Sequence, residues 1–219
     1  MNSEILTEWL TPDSGYCFRA TESLLDTRSA YQHIQVYDTP QFGRMLRLDG
    51  CFMTSEQDEF FYHENIVHPA AIAHPCLKRV LVIGGGDGGV SKEVLKHPGV
   101  ERLTLVELDP KVIEVARQYL GKVHGGAMDD PRLEIRMEDG AAYVFETQKK
   151  FDLIILDLTD PFGPSTELYK REFFAACRSI LSPEGALTMH IGAPVFHPAR
   201  VRENIANLRQ VLPSFALIL

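Results

Sequence analysis

Acidic residues stand just beyond four successive apolar runs of this chain. Asp87 lies inside the glycine-rich stretch GGGDGG, Glu107 and Asp109 follow RLTLV, Asp139 follows RLEIRM, and Asp157 and Asp160 follow FDLIIL. Carboxylates gathered in one place can hold an ammonium or a sulfonium, accept from ribose hydroxyls or an exocyclic amine, or take up a proton. Gly84, Gly86 and Gly89 have the G-x-G-x-x-G spacing of a turn that normally receives a phosphate at a helix N-terminus. Asp87 contradicts that use. A phosphate beside it would meet repulsion of about 4 kcal/mol per charge pair at 4 Å and an effective dielectric of 20, so a dinucleotide is disfavoured. A cationic group there gains by a similar gross amount, less the cost of desolvation.

Each acid has its own place in this chemistry. Glu107 falls about 20 residues after the glycine loop, where a carboxylate commonly accepts the two hydroxyls of an adenosine ribose. Asp139 is placed to accept from the adenine amine, or else to cap a helix starting near Ala141. Asp157 ends a strongly apolar strand and so points into a crevice, or else forms an Asx-turn, as Asp160 can. Asp109 and Glu138 read as first-turn helix acids. Pro161, Gly163 and Pro164 then describe a loop over the strand end, a common form of lid.

These residues need elements to bring them together. Strand patterns at 79–84, 102–109, 132–139, 151–160 and 185–192 alternate with helical patterns at 89–97, 110–120, 141–149, 166–181 and 198–212, with Pro110 opening one helix and Pro183 ending another. Such alternation predicts a doubly wound, mostly parallel sheet, with ligands beyond the carboxyl ends of the strands. Upstream, GYCFRA, YQHIQVYDT, RMLRLDG and CFMTSE predict antiparallel hairpins. The fold class is therefore α/β: a small N-terminal antiparallel domain over 1–57, then a Rossmann-like domain over 58–219. A helix capped by Ser55 or Asp58 and closed by Pro75 leads into the second part. The apolar run SFALIL at 214–219 reads as a strand.

Composition narrows the partners. A formal charge of −8 argues against nucleic acid or an anionic membrane, and no run approaches a membrane span. The 4 cysteines have no metal or disulfide spacing, which suits a cytoplasmic protein. His63 and His68 are five apart rather than the four of H-E-x-x-H, so no metal site is expected.

Taken in order, YQHIQVY, RLDG, DEFFYHE, GGGDGG, VELD, EDGA and DLTDPFGP resemble the polyamine aminopropyltransferases, above all the spermidine synthases, from about Tyr31 to Phe174. The resemblance implies transfer of an aminopropyl group from decarboxylated S-adenosylmethionine, a co-substrate with no tightly bound cofactor beside it, to a diamine such as putrescine. It implies a homodimer and a methyltransferase-type catalytic domain. By the same resemblance Gln32, His63 and Asp87 surround the aminopropyl donor, beside the loop glycines Gly84, Gly85 and Gly86. Glu107 holds the ribose, Asp139 the adenine, Asp157 is catalytic, and Tyr62 and Asp160 position the attacking amine.

Two features depart from the family pattern. Met53 stands in LDGCFM where the family has glutamine, which leaves the acceptor amine open. Family members also continue for several dozen residues and add final antiparallel strands, so a fragment or a shortened variant is expected. Rival readings are an S-adenosylmethionine-dependent methyltransferase, against which Asp87 argues, and a non-catalytic relative that binds nucleoside and dimerises.

Overall fold

A computed structural model of the chain describes residues 4–159, 163–212, 214 and 216. Its N-terminal part is antiparallel. Strands β1 (Glu4–Thr11) and β2 (Ser14–Ala20) form a hairpin, and β3 (Glu22–Arg28), β4 (His33–Thr39), β5 (Gly43–Leu48) and β6 (Cys51–Ser55) form a four-stranded sheet in that order. The β5–β6 connection is the two-residue turn Asp49–Gly50, both at positive φ (48° and 86°), the turn whose twist suits paired strands. Strand β4 is buried on both faces. Ile34 and Val36 enter the main core, while Tyr37 packs with Leu6 and Ala20 of the β1–β2 hairpin.

The second part begins with α1 (Glu59–Ala73), followed by β7 (Arg79–Gly84), α2 (Gly89–Leu95), β8 (Arg102–Glu107), α3 (Pro110–Tyr119), α4 (Gly121–His124) and β9 (Leu133–Met137). Then come α5 (Gly140–Glu146), β10 (Phe151–Asp157), α6 (Arg171–Ile180), β11 (Leu181–Met189) and α7 (Pro198–Val211). The parallel sheet has the order β11-β10-β7-β8-β9. The chain winds outward from β7 to β9, then crosses back to β10 on the other side of β7. The β7/β10 boundary is thus the switch point, where an open parallel sheet leaves a crevice for ligands.

One core packs Ile34, Val36 and Leu46 of the antiparallel sheet with α1, α2, α3 and one face of β7 and β8. A second core, with Phe173, Phe174 and Cys177 of α6, covers the opposite face. Helices on both faces explain why the interiors of β7, β8 and β10 are buried and almost wholly apolar.

Several boundaries differ from those expected. The helix expected over 166–181 is divided into a 3-10 segment, Gly163–Tyr169, and α6. Lys170 is extended between them, and buried Tyr169 donates its hydroxyl to the Thr159 carbonyl at 3.1 Å. Helix α6 stops at Ile180, three residues before Pro183, close to the expected end. Pro183 itself lies within β11, which begins at Leu181 opposite Phe151, shifts register, and ends at Met189; among the described residues β11 is an edge strand, which tolerates a proline with no donor. Strand β1 was not expected at all. Asp58 precedes α1 but makes no side-chain cap, accepting instead from the Ser55 hydroxyl at 2.5 Å. The helix expected over 141–149 stops at Glu146. Asp160 and most of the terminal strand expected at 214–219 lie outside the described residues.

Candidate active site

The β7–β10 ladder places Asp157 directly opposite Gly84, so the last residue of β10 meets the first glycine of the loop. Gly84 has φ +80°, and a Cβ there would lie 2.1 Å from the Asp157 carbonyl oxygen. Gly86 is as crowded on the other side, where a Cβ would come within 2.8 Å of the Glu107 carboxylate. The loop needs glycines because backbone and acids pack against each other there.

Asp157 and Asp87 face the crevice with Tyr62 and His63 of α1. The Tyr62 hydroxyl donates to Asp157 Oδ1 at 2.8 Å. Asp87 Oδ1 accepts from the Gly89 amide at 2.8 Å, and its Oδ2 lies 3.7 Å from His63 Nε2. Polar atoms of His63, Asp87 and Asp157 all fall within 4.8 Å of one another. The two aspartates have diverged. Burial and then the Asp87 charge push Asp157 up to about 6, whereas Asp87, although burial acts upward, is held below the ordinary carboxylate value by His63 and the Gly89 amide. Burial, then Asp157, raises the Tyr62 phenol well above its usual value, so it remains a donor. Asp157 is thereby suited to take up a proton and Asp87 to remain an anion.

Glu107, at the end of β8, accepts from the Asp109 amide at 2.9 Å; burial pushes its carboxyl up to about 7 despite that contact. Asp139 is exposed and caps α5 by accepting from the Ala142 amide at 2.9 Å. Asp109 caps α3 through the Lys111 amide, whereas Glu138 pairs with Arg136. Gln32 Nε2 donates at 2.9 Å to Asp109 Oδ2, which also accepts from Ser29 at 2.6 Å; this ties the antiparallel sheet to the start of α3. Met53 is partly buried against the main core.

Three neighbours of the site escaped the sequence reading. Glu59 is bound to His63, Lys92 is bound to Glu59, and the His190 ring stands edge-on to Tyr62 at 6.1 Å. Glu59 precedes His63 by four residues in DEFFYHE, a same-face spacing on a helix that could have revealed the pair. Nothing in sequence separations of 33 and 128 residues pointed to Lys92 or His190.

Known proteins share both parts of this architecture. The profile of the spermine/spermidine synthase domain matches residues 59–219, and that of the spermidine synthase tetramerisation domain matches residues 5–56. A polyamine aminopropyltransferase of Nitrosomonas europaea is 50% identical over 211 residues, covering 96% of this chain and 65% of its own length. One of Moorella thermoacetica is 40% identical, covering 97% and 75%. A spermidine synthase solved with the transition-state analogue AdoDATO superposes with a TM-score of 0.93 at 38% identity, over 96% of this chain and 72% of that one. The spermidine synthase of Thermotoga maritima gives 0.91 at 37% identity, with the same coverage. The chain thus spans about two thirds to three quarters of the length of these relatives. With strands, crevice and acids arranged as described, and with both profiles matched in order, the chain belongs to the spermine/spermidine synthase family.

Proposed function

We propose that this chain carries the catalytic crevice of a polyamine aminopropyltransferase, moving an aminopropyl group from decarboxylated S-adenosylmethionine to a diamine, with putrescine the favoured acceptor. The observation that carries the reading is the divergence of Asp87 and Asp157 across the β7/β10 switch point. Asp87 binds the terminal ammonium of the donor, Glu107 its ribose hydroxyls and Asp139 its adenine amine, with Gln32 and His63 completing the donor side. Tyr62 and Asp160 orient the acceptor.

A diamine nitrogen has a pKa near that of lysine, about 10.4, and attacks only as the free amine. Its lone pair forms a bond to the carbon beside the sulfonium, the C–S bond breaks, and the electron pair neutralises sulfur to leave methylthioadenosine. The excess proton on nitrogen passes to Asp157. Asp157 also holds the nitrogen in line, with the Tyr62 hydroxyl fixing its carboxylate.

Under the same proposal residues 1–57 form an assembly domain and 58–219 the nucleoside-binding domain of a homo-oligomer, a homodimer at the least. The exposed Ile5, Trp9 and Tyr16 on the β1–β2 hairpin support an assembly role. Among the described residues no helix is long and apolar enough to cross a membrane, and a cytoplasmic reaction is part of the proposal.

The test is incubation with the decarboxylated donor and each of putrescine, cadaverine, agmatine and spermidine, with products identified by mass. Spermidine from putrescine is the expected result, and absence of every aminopropylated amine would refute the proposal. Asp87→Asn addresses the methyltransferase alternative. Intact S-adenosylmethionine carries a carboxylate that Asp87 repels, so the variant should lose at least about tenfold in preference for the decarboxylated form, measured by competitive binding.

A further inference from the structure

His63 has a carboxylate at each ring nitrogen. Its Nδ1 lies 2.6 Å from Glu59 Oε2, one helical turn earlier on α1, and its Nε2 faces Asp87 Oδ2 at 3.7 Å. The side chains of His63, Glu59 and Asp87 are 2%, 7% and 12% exposed, so water screens both contacts little. A neutral imidazole has one N–H and one lone pair, and here the lone pair would confront a carboxylate in either tautomer. Only the doubly protonated ring satisfies both sides. The Lys92 ammonium contacts the other oxygen of Glu59, so that carboxylate is held from two directions. The ring also has a dedicated space: a Cβ on Gly89, the first residue of α2, would lie 2.1–2.6 Å from three of its atoms.

We propose that Glu59 is a positioning residue for the transfer reaction: it holds His63 as an imidazolium against Asp87, in a gap that Gly89 leaves, so that two neighbouring aspartates take different roles. This rests on the function proposed above. Two carboxylates in one buried crevice would otherwise share a proton, leaving neither a dependable anion. An imidazolium on the Asp87 side keeps Asp87 ionised for the donor ammonium and leaves Asp157 as the group that takes the proton. The charged groups around His63 are Glu59 on α1, Asp87 in the glycine loop and Asp157 on β10, with Tyr62 adjacent and Lys92 of α2 behind Glu59. Burial works against the charged ring, yet Asp87, Asp157 and Glu59 together lift it to about 9.

Two variants test the proposal. Glu59→Gln removes the charge, and Gly89→Ala displaces the ring without changing any charge. The first readout is the titration of ¹⁵N-labelled His63 in the ligand-free protein, assigned by its disappearance in His63→Gln. Wild type should hold both ring protons at pH 7.5, and the midpoint should fall by about one unit or more in each variant. The second is the pH profile of kcat/KM for the decarboxylated donor. Its acid limb should move upward as the aspartates come to share a proton, with KM rising about tenfold near pH 7 and kcat largely recovered at high pH. A midpoint unmoved in both variants while they melt like wild type, or an acid limb that stays in place, would overturn the proposal. Failure of wild type to make any polyamine refutes the transfer reading alone, because the histidine titration requires no turnover.

Discussion

Asp157 and Asp87 are chemically identical and only their surroundings distinguish them, so the sharpest expectations belong to single side chains. Asp157→Asn keeps the shape and the Tyr62 contact but cannot accept a proton. It should lower kcat by about 10²–10⁴-fold while methylthioadenosine still binds in a calorimeter. Asp157 works as a base only when ionised, and in the ligand-free protein burial and the Asp87 charge put it at about 6, so wild-type kcat/KM should climb with pH through that value, a limb the variant lacks. Both aspartates were legible in the sequence because a charge at the end of an apolar strand, or among glycines, has few other uses. Glu59 and Lys92 were not, since an acid in the first turn of a helix and a lysine on a helix are ordinary surface choices. Asp139 and Gln32 carry a further lesson. Both have partners here, the Ala142 amide and Asp109, so the cap reading of Asp139 describes a contact that exists whatever else its carboxylate holds.

Among the elements, the glycine loop and the end of β10 form a single unit. Gly84→Ala would place a residue at φ +80° against the Asp157 carbonyl, combining the ~1–2 kcal/mol penalty of a left-handed L-residue with a collision between central strands. A urea midpoint lowered by more than that penalty alone, at an unchanged slope, is the expected outcome. The parallel strands were readable because β7, β8 and β10 are buried on both faces and read as short apolar runs between turn signals. Strand β1 was not, since Ile5 and Trp9 lie exposed beside buried Leu6 and leave no clean alternation. Nor was the 3-10 segment before α6. Its apolar residues continue the spacing of the following helix, and the break at Lys170 depends on the distant contact of Tyr169 with Thr159.

For the molecule as a whole, the division near residue 57 marks a change from antiparallel to parallel pairing but not a gap in packing. Ile34, Val36 and Leu46 share a core with Val67, Val80 and Val90. Unfolding should therefore be cooperative and should sum the titrations of both parts. His63 rises from 6.5 unfolded to about 9 folded, so its contribution is complete below 6.5 and is lost as pH rises through 9. Glu107 rises from 4.5 to about 7, a carboxyl that the fold keeps protonated longer, so stability falls across that window too. Asp87 and Asp152 are held low and oppose this trend only at more acidic pH. The ligand-free protein should melt lower at pH 9.5 than at pH 6, by about 2–4 °C for each kcal/mol lost in calorimetry. The register of β7 has one more consequence, in the exchange of amide hydrogens with deuterium. Val80, Leu81 and Val82 lie at 0% exposure in the middle strand of the sheet, so their amides should exchange only through global opening, and a ligand should slow them only by its contribution to total stability. Just beyond the strand, the amides of Gly85 and Gly88 close the loop onto the Asp157 and Gly85 carbonyls, and these can exchange through a local opening. Within a single stretch of chain, exchange rates would then separate the scaffold from the part that answers to substrate.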